Sequence, residues 1–196
     1  MYIGGLLGCR GDAYTGAGCL DMDEAKAFHA WEAELFSEAG ADFLYAALMP
    51  SFEEAAGMAL ALEATKLPYI ISFTIKADGC LIDGTRISDA IQHIDQLTKV
   101  PPICYMTNCV HPKILYEALS QPFNRNETVQ KRFAGIQANT SALSYEELDD
   151  APDLKESEPA ALAADMVRLR ELLPMKIFGG CCGTDFRHMT EVAKRI

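Results

Sequence analysis

No stretch of this sequence is apolar for the length that a membrane span requires. Its start, MYIGGLLGCRGDAY, does not run from a basic segment into a long apolar one, as a secretory signal would. Basic residues are scarce: 17 Lys and Arg stand against 28 Asp and Glu, a net charge of −11. That balance argues against nucleic acid and anionic membranes as partners. The dinucleotide fingerprint G-x-G-x-x-G does not follow the first apolar run, which weakens an open doubly wound reading. Internal repeats and low-complexity tracts are absent as well.

What is present in quantity is cysteine: Cys9, Cys19, Cys80, Cys104, Cys109, Cys181 and Cys182. An odd number, in a chain whose start reads as no secretory signal, does not suggest a disulfide framework. A reducing compartment, the cytoplasm, is expected, with some thiols buried and others reactive or metal-bound.

The 196 residues, 49% hydrophobic, suit one domain over 1–196. Strand-like and helix-like segments alternate throughout. Apolar runs at Tyr2–Gly8, Asp42–Leu48, Tyr69–Ile75, Pro102–Asn108, Phe133–Asn139 and Met175–Gly179 read as strands. Between them, Asp21 with Glu24 and Ser51 with Glu54 read as helix caps. Phe28, Trp31 and Leu35 share one face of the first helix. Ile87, Ala90, Ile91, Ile94 and Leu97 form a later stripe, and Leu162, Met166, Leu169 and Leu173 another. Pro112 suits a first helical position, and the last helix begins near Asp185. Six strand–helix units imply parallel strands with right-handed crossovers. A full eight-unit barrel takes roughly 250 residues, so about two units are lacking. The acidic stretch from Tyr145 to Glu158 reads as a solvated loop.

The chemistry concentrates at strand ends. In GGCCGTD, residues 179–185, two adjacent thiols follow an apolar strand. Neighbouring strand residues point to opposite faces, so both thiols meet one ion only across a bend, which Gly179, Gly180 and Gly183 permit. Thr184 is expected to cap the next helix, whose N-terminus favours thiolates. Taken alone, the pair fits a buried turn equally well. In MTNCVHP, residues 106–112, Cys109 also ends a strand. Three thiolates from two strand ends would leave a tetrahedral zinc one open position. His111 is an alternative ligand, although its place before Pro112 suits a helix start.

TNC followed by GGCCGT resembles the signature of the zinc-dependent homocysteine S-methyltransferase family. DGCLIDGTRISDAI (78–91), GIQAN (135–139), AYTG (13–16) and AGADFLYAALMPSFEEA (39–55) resemble further segments of it, so the similarity covers nearly the whole chain. The resemblance implies a (β/α) barrel of TIM type in which zinc, held by Cys109, Cys181 and Cys182, binds the homocysteine thiol as a thiolate. That thiolate takes a methyl group from a sulfonium, an ammonium, a folate nitrogen or a corrinoid, giving methionine. It also implies Asn108 and Asn139 as residues near the substrate.

Two departures stand beside it. The family's opening strand with its Asp-Gly motif has no counterpart before Tyr2, so the chain corresponds to a barrel without its first two strand–helix units. The family's fourth strand carries a glutamate that faces the amino group of homocysteine, and here that position is Ala47. An ammonium desolvated without an anionic partner is costly, so homocysteine should bind poorly or another thiol be used. Arg10 could hold a carboxylate or phosphate, or simply be solvated.

The expected partners are a small-molecule thiol and a methyl donor, with self-association or a second chain completing the barrel at its open edges. A zinc-binding but catalytically weak relative, acting as a subunit or as a partner of a methyl-carrying or corrinoid protein, is the alternative. A metal-free scaffold with oxidisable cysteines is the third reading.

Overall fold

The structure, a computed structural model, describes residues 1–148, 152, 153 and 155–196, and of Glu146 only the backbone. Six strands form one parallel sheet in the order of the sequence: β1 (Gly4–Gly8), β2 (Phe43–Met49), β3 (Tyr69–Phe73), β4 (Cys104–Val110), β5 (Phe133–Ala138) and β6 (Ile177–Gly180). The helices between and after them are α1 (Met22–Glu38), α2 (Phe52–Ala64), α3 (Ile87–Leu97), α4 (Pro112–Ser120), α5 (Glu127–Arg132), α6 (Tyr145–Leu148), α7 (Pro159–Arg168) and α8 (Phe186–Ala193). Strictly sequential strand order is what repeated right-handed crossovers produce.

The sheet is curled into a half-barrel. Tyr45 on β2 donates a hydrogen bond of 2.8 Å to Gln137 on β5. Those strands, three positions apart, would stand about 14 Å from each other in a flat sheet. The bond is made across the concave side. Register places Leu6, Tyr45, Ile70 and Cys104 in one row on that side, and Met106, Gly135 and Ile177 in the next. Tyr45, Ala47 and Met106 form a small buried cluster there, with Phe43, Ile70 and Ile177 against it. The larger core lies on the convex side, where Leu44, Ile71, Phe73, Tyr105 and Ile136 meet the helices.

The caps of α1 and α2 fall where the sequence places them. Asp21 accepts from Glu24 N, and Ser51 accepts from Glu54 N. Leu162 and Met166 are buried on α7, and Leu169 begins a 3-10 turn that continues the same apolar stripe. Leu97, at the end of the α3 stripe, is partly exposed.

The apolar stripe of α1 is turned the other way. Phe28, Trp31 and Leu35 face solvent, at 44%, 60% and 52% exposure, whereas Ala25, His29 and Ala33 are buried. Close approach of α2 explains this. A side chain at Gly57 would run into Met22 O and the α1 backbone, so only small residues fit between the two helices. The exposed stripe lies on the helix next to β1, an edge strand whose Leu6 is 59% exposed.

Within the acidic stretch, residues 149–151 and 154 lie outside the described residues. Its described ends are not simply solvated: Tyr145–Leu148 forms α6, and Ser157 donates to Thr140 O. Among the described residues, no helix is long and apolar enough to cross a membrane.

Candidate metal centre

Cys109 occupies the last turn of backbone in β4, and it is bent. Its φ is +58°, a left-handed conformation that non-glycine residues rarely adopt. The β4–β5 register shifts at that point, between Asn108 and Val110. Leu48, near the end of β2, is bent in the same way with φ +56°. The bend lifts the Cys109 side chain out of the strand alternation and aims it at β6.

The opposite wall is the turn after β6. Cys181 N donates to Ala138 O at 2.8 Å, and Thr140 N to Cys182 O at 3.1 Å. These bonds tie the cysteine turn to the end of β5. The turn closes at Gly183, where φ is +75° and a side chain would collide with the Thr140 hydroxyl. Thr184, expected as the helix cap, instead donates to Cys181 O at 2.6 Å. The cap is Asp185, in a reciprocal box with His188. Thr184 is already committed to the turn, one residue too early for the helix.

Three sulfurs converge as a result. Those of Cys109, Cys181 and Cys182 all lie within 4.8 Å of one another, and the Cys109–Cys182 pair is 3.3 Å apart. A tetrahedral ion with bonds of about 2.3 Å to sulfur needs its ligands about 3.8 Å apart, a value inside this range. The donor set is soft and, once ionised, suits a thiophilic divalent ion with one position to spare. All seven cysteines are free thiols.

The three are not equivalent. Hydrogen bonds from Cys181, then Tyr14 and Cys182, outweigh burial and hold the Cys109 thiol down at about 5. Its neighbours move upward: Cys181 chiefly through its bond to Cys109, Cys182 chiefly through burial. The three thiols share protons over these short contacts, and the surroundings of Cys109 favour its thiolate.

The remaining expected residues divide. Asn139 stands beside the cluster, with its Nδ2 3.7 Å from Cys109 Sγ and its oxygen held by Ser141 N at 2.9 Å. The oxygen of Asn108 is spent on Leu48 N at 3.0 Å and Ser72 Oγ at 2.6 Å. His111 is no part of the cluster. Its Nδ1 accepts from Lys113 N at 3.2 Å, capping α4. Arg10 is exposed. Ala47 is buried on the concave side beside Tyr45 and Met106, in apolar surroundings.

Tyr14 was not legible as a site residue. It lies in the loop between β1 and α1, near enough to Cys109 for its hydroxyl to favour that thiolate, and its ring is 4.6 Å from that of Tyr145. The only sequence signal is its place in AYTG, a segment of family resemblance with no chemistry of its own.

The sequence matches the family described as homocysteine S-methyltransferase over residues 1–196. Among solved structures, the chain is similar to the homocysteine methyltransferase MmuM from Escherichia coli. To its apo form the identity is 19% and the TM-score 0.69, covering 100% of this chain and 63% of that one. To its metallated form the identity is 19% and the TM-score 0.71, covering 99% and 61%. The chain thus spans less than two thirds of the length of these structures. No curated protein matches it.

Proposed function

The chain belongs to the homocysteine S-methyltransferase family, and from that premise we propose that it holds zinc through Cys109, Cys181 and Cys182 and methylates a thiol such as homocysteine, giving methionine. The observation that carries this reading is the convergence of three thiols from two strand ends within 4.8 Å. Zinc bound there would supply an open position at which a substrate thiol is acidified at neutral pH. The chain's own residues prepare that position. Tyr14 and Asn139 donate toward Cys109, which favours its thiolate form. The Asn108 bridge holds the Leu48 and Cys109 bends in place. A reducing compartment such as the cytoplasm suits three thiols that must stay reduced.

Selectivity for the acceptor is set at Ala47. An apolar wall formed with Tyr45 and Met106 offers an ammonium group no anionic partner. Homocysteine therefore binds weakly, and a thiol without a cation at that point binds better.

The test measures metal content and product together. Purified protein should contain one zinc per chain, which Cys181→Ala should lose. It should form methionine from homocysteine with S-methylmethionine, betaine or a methylated corrinoid as donor. A metal-free preparation under reducing conditions with added zinc would sink the metal centre. Bound zinc without product from any donor would leave the alternative, a subunit or partner of a methyl-carrying protein.

The edges of the sheet favour a partner. Leu6, Phe28, Trp31 and Leu35 are exposed on or beside β1. We propose that a second copy or another chain pairs there, completing a closed TIM-type barrel.

A further inference from the structure

The loop that carries Tyr14 is fastened by a side chain from another element. Glu54, on the first turn of α2, is fully buried. Its Oε1 accepts from Arg10 N at 2.6 Å and its Oε2 from Leu20 N at 3.3 Å. Those amides stand at the two ends of the loop. His29 Nε2 of α1 lies 3.2 Å from Oε1, and the nearby Cys19 thiol also favours the ionised carboxylate. Burial works against the carboxylate, but these donors outweigh it and hold Glu54 below its ordinary range.

Two features separate this arrangement from ordinary capping. Although Ser51 Oγ accepts from Glu54 N, the carboxylate turns away from its own helix toward the loop. His29 Nδ1 is buried and has no partner among the described residues, so the imidazole's contact with the carboxylate is the hydrogen bond its ring makes there.

Between the two clamps the loop behaves as one body. Asp12 Oδ1 accepts from Tyr14 N at 2.7 Å and Thr15 N at 2.9 Å, and Asp12 N donates to Ala17 O at 2.9 Å. A displacement at either end therefore moves Tyr14.

We propose that Glu54, braced by His29, is a positioning residue for the thiol cluster: by fastening Arg10 and Leu20 it seats Tyr14 on Cys109. Glu54 touches none of the three cluster sulfurs and acts through the loop alone. The inference adds to the proposed function, and its primary test does not depend on metal.

That test is alkylation of the metal-free, reduced full chain by iodoacetamide, with labelling of each cysteine followed by mass spectrometry. Cys109 and Cys104 are both buried and lie at opposite ends of β4, so Cys104 reports general loosening. At a pH high enough to ionise Cys109 in both proteins, where loss of the Tyr14 hydrogen bond no longer lowers the thiolate fraction, Glu54→Gln should speed Cys109 labelling roughly tenfold and leave Cys104 unchanged. In a Tyr14→Ala background, where Cys109 is already uncovered, the same substitution should add little. An unchanged Cys109 rate, a parallel rise at Cys104, or two effects that multiply in full would each overturn the proposal. If Glu54→Gln does not fold, Glu54→Asp, which keeps the charge but withdraws it by one methylene, is read by the same criteria. Added Co2+ separates the two claims. A wild-type protein without a thiolate-to-cobalt absorption band would refute the metal centre, while the alkylation rates still decide the role of Glu54.

Discussion

Asn108 reaches across a strand to accept a hydrogen bond of 3.0 Å from the backbone of Leu48, taking a second from Ser72 on the strand between. It joins the two left-handed bends, because its own peptide leads directly into Cys109. Replacing Asn108 by Ala would take the shared acceptor from a part-buried amide and a buried hydroxyl. We expect a loss of about 2–3 kcal/mol, measured by urea denaturation of the metal-free protein. A loss near zero would show that the bridge is not structural.

The bend at Cys109 separates backbone from ligand. Cys109→Ala and Cys109→Gly should both lose the bound metal. Gly accepts a φ of +58° without the steric penalty, so the Gly variant should be the more stable of the two by about 1 kcal/mol. Thermal melting of the two apo variants checks the order.

Glu54 supplies a pH dependence of known sign. Its folded-state pKa is lowered, so the ionised carboxylate stabilises the fold above its unfolded value near 4.5, and that contribution is lost as pH falls through the lower folded value. Glu54→Gln should be less stable at pH 7 and should lack this component of the acid slope. Denaturation midpoints between pH 7 and pH 3 would show parallel curves if Glu54 has no such role.

Ala47 is a test of acceptor selectivity. Ala47→Glu should lower the KM for homocysteine by about tenfold if an ammonium approaches that wall. The same variant without substrate should be less stable by about 1–3 kcal/mol, because its carboxylate stands in apolar surroundings. An unchanged KM would place the amino group elsewhere.

The single Trp, Trp31, reports on partnering. At 60% exposure it should emit as a solvated indole at low concentration and shift to the blue when the α1 face is covered. Trp31→Lys should abolish any concentration-dependent association seen by sedimentation. Emission that does not change from nanomolar to high micromolar concentration would argue against a second copy.

Much of this architecture is legible in the sequence. Alternation of apolar runs with caps placed six parallel strands in the right order, because each crossover is local in sequence. The three cysteines were legible because strand ends converge wherever such a sheet curls. What the pattern could not carry was direction at close contacts. The Phe28, Trp31 and Leu35 stripe reads as a core face, yet the tight approach at Gly57 admits only Ala25 and Ala33. Glu54 reads as half of a capping box, yet its carboxylate serves a loop more than thirty residues earlier. Tyr14 has no periodic neighbours at all, since an irregular loop places it. Thr184 and Asp185 compete for one cap, and only the turn geometry decides between them.

The Tyr45–Gln137 bond has a further consequence for assembly. A strut across the concave side favours one curvature, and with it one spacing of the outer strands Gly4–Gly8 and Ile177–Gly180. A strand docking there, as proposed, would meet a preformed berth and need not bend the sheet to fit. Little reorganisation is then charged against binding, and the fit is judged on width and register before side chains are read.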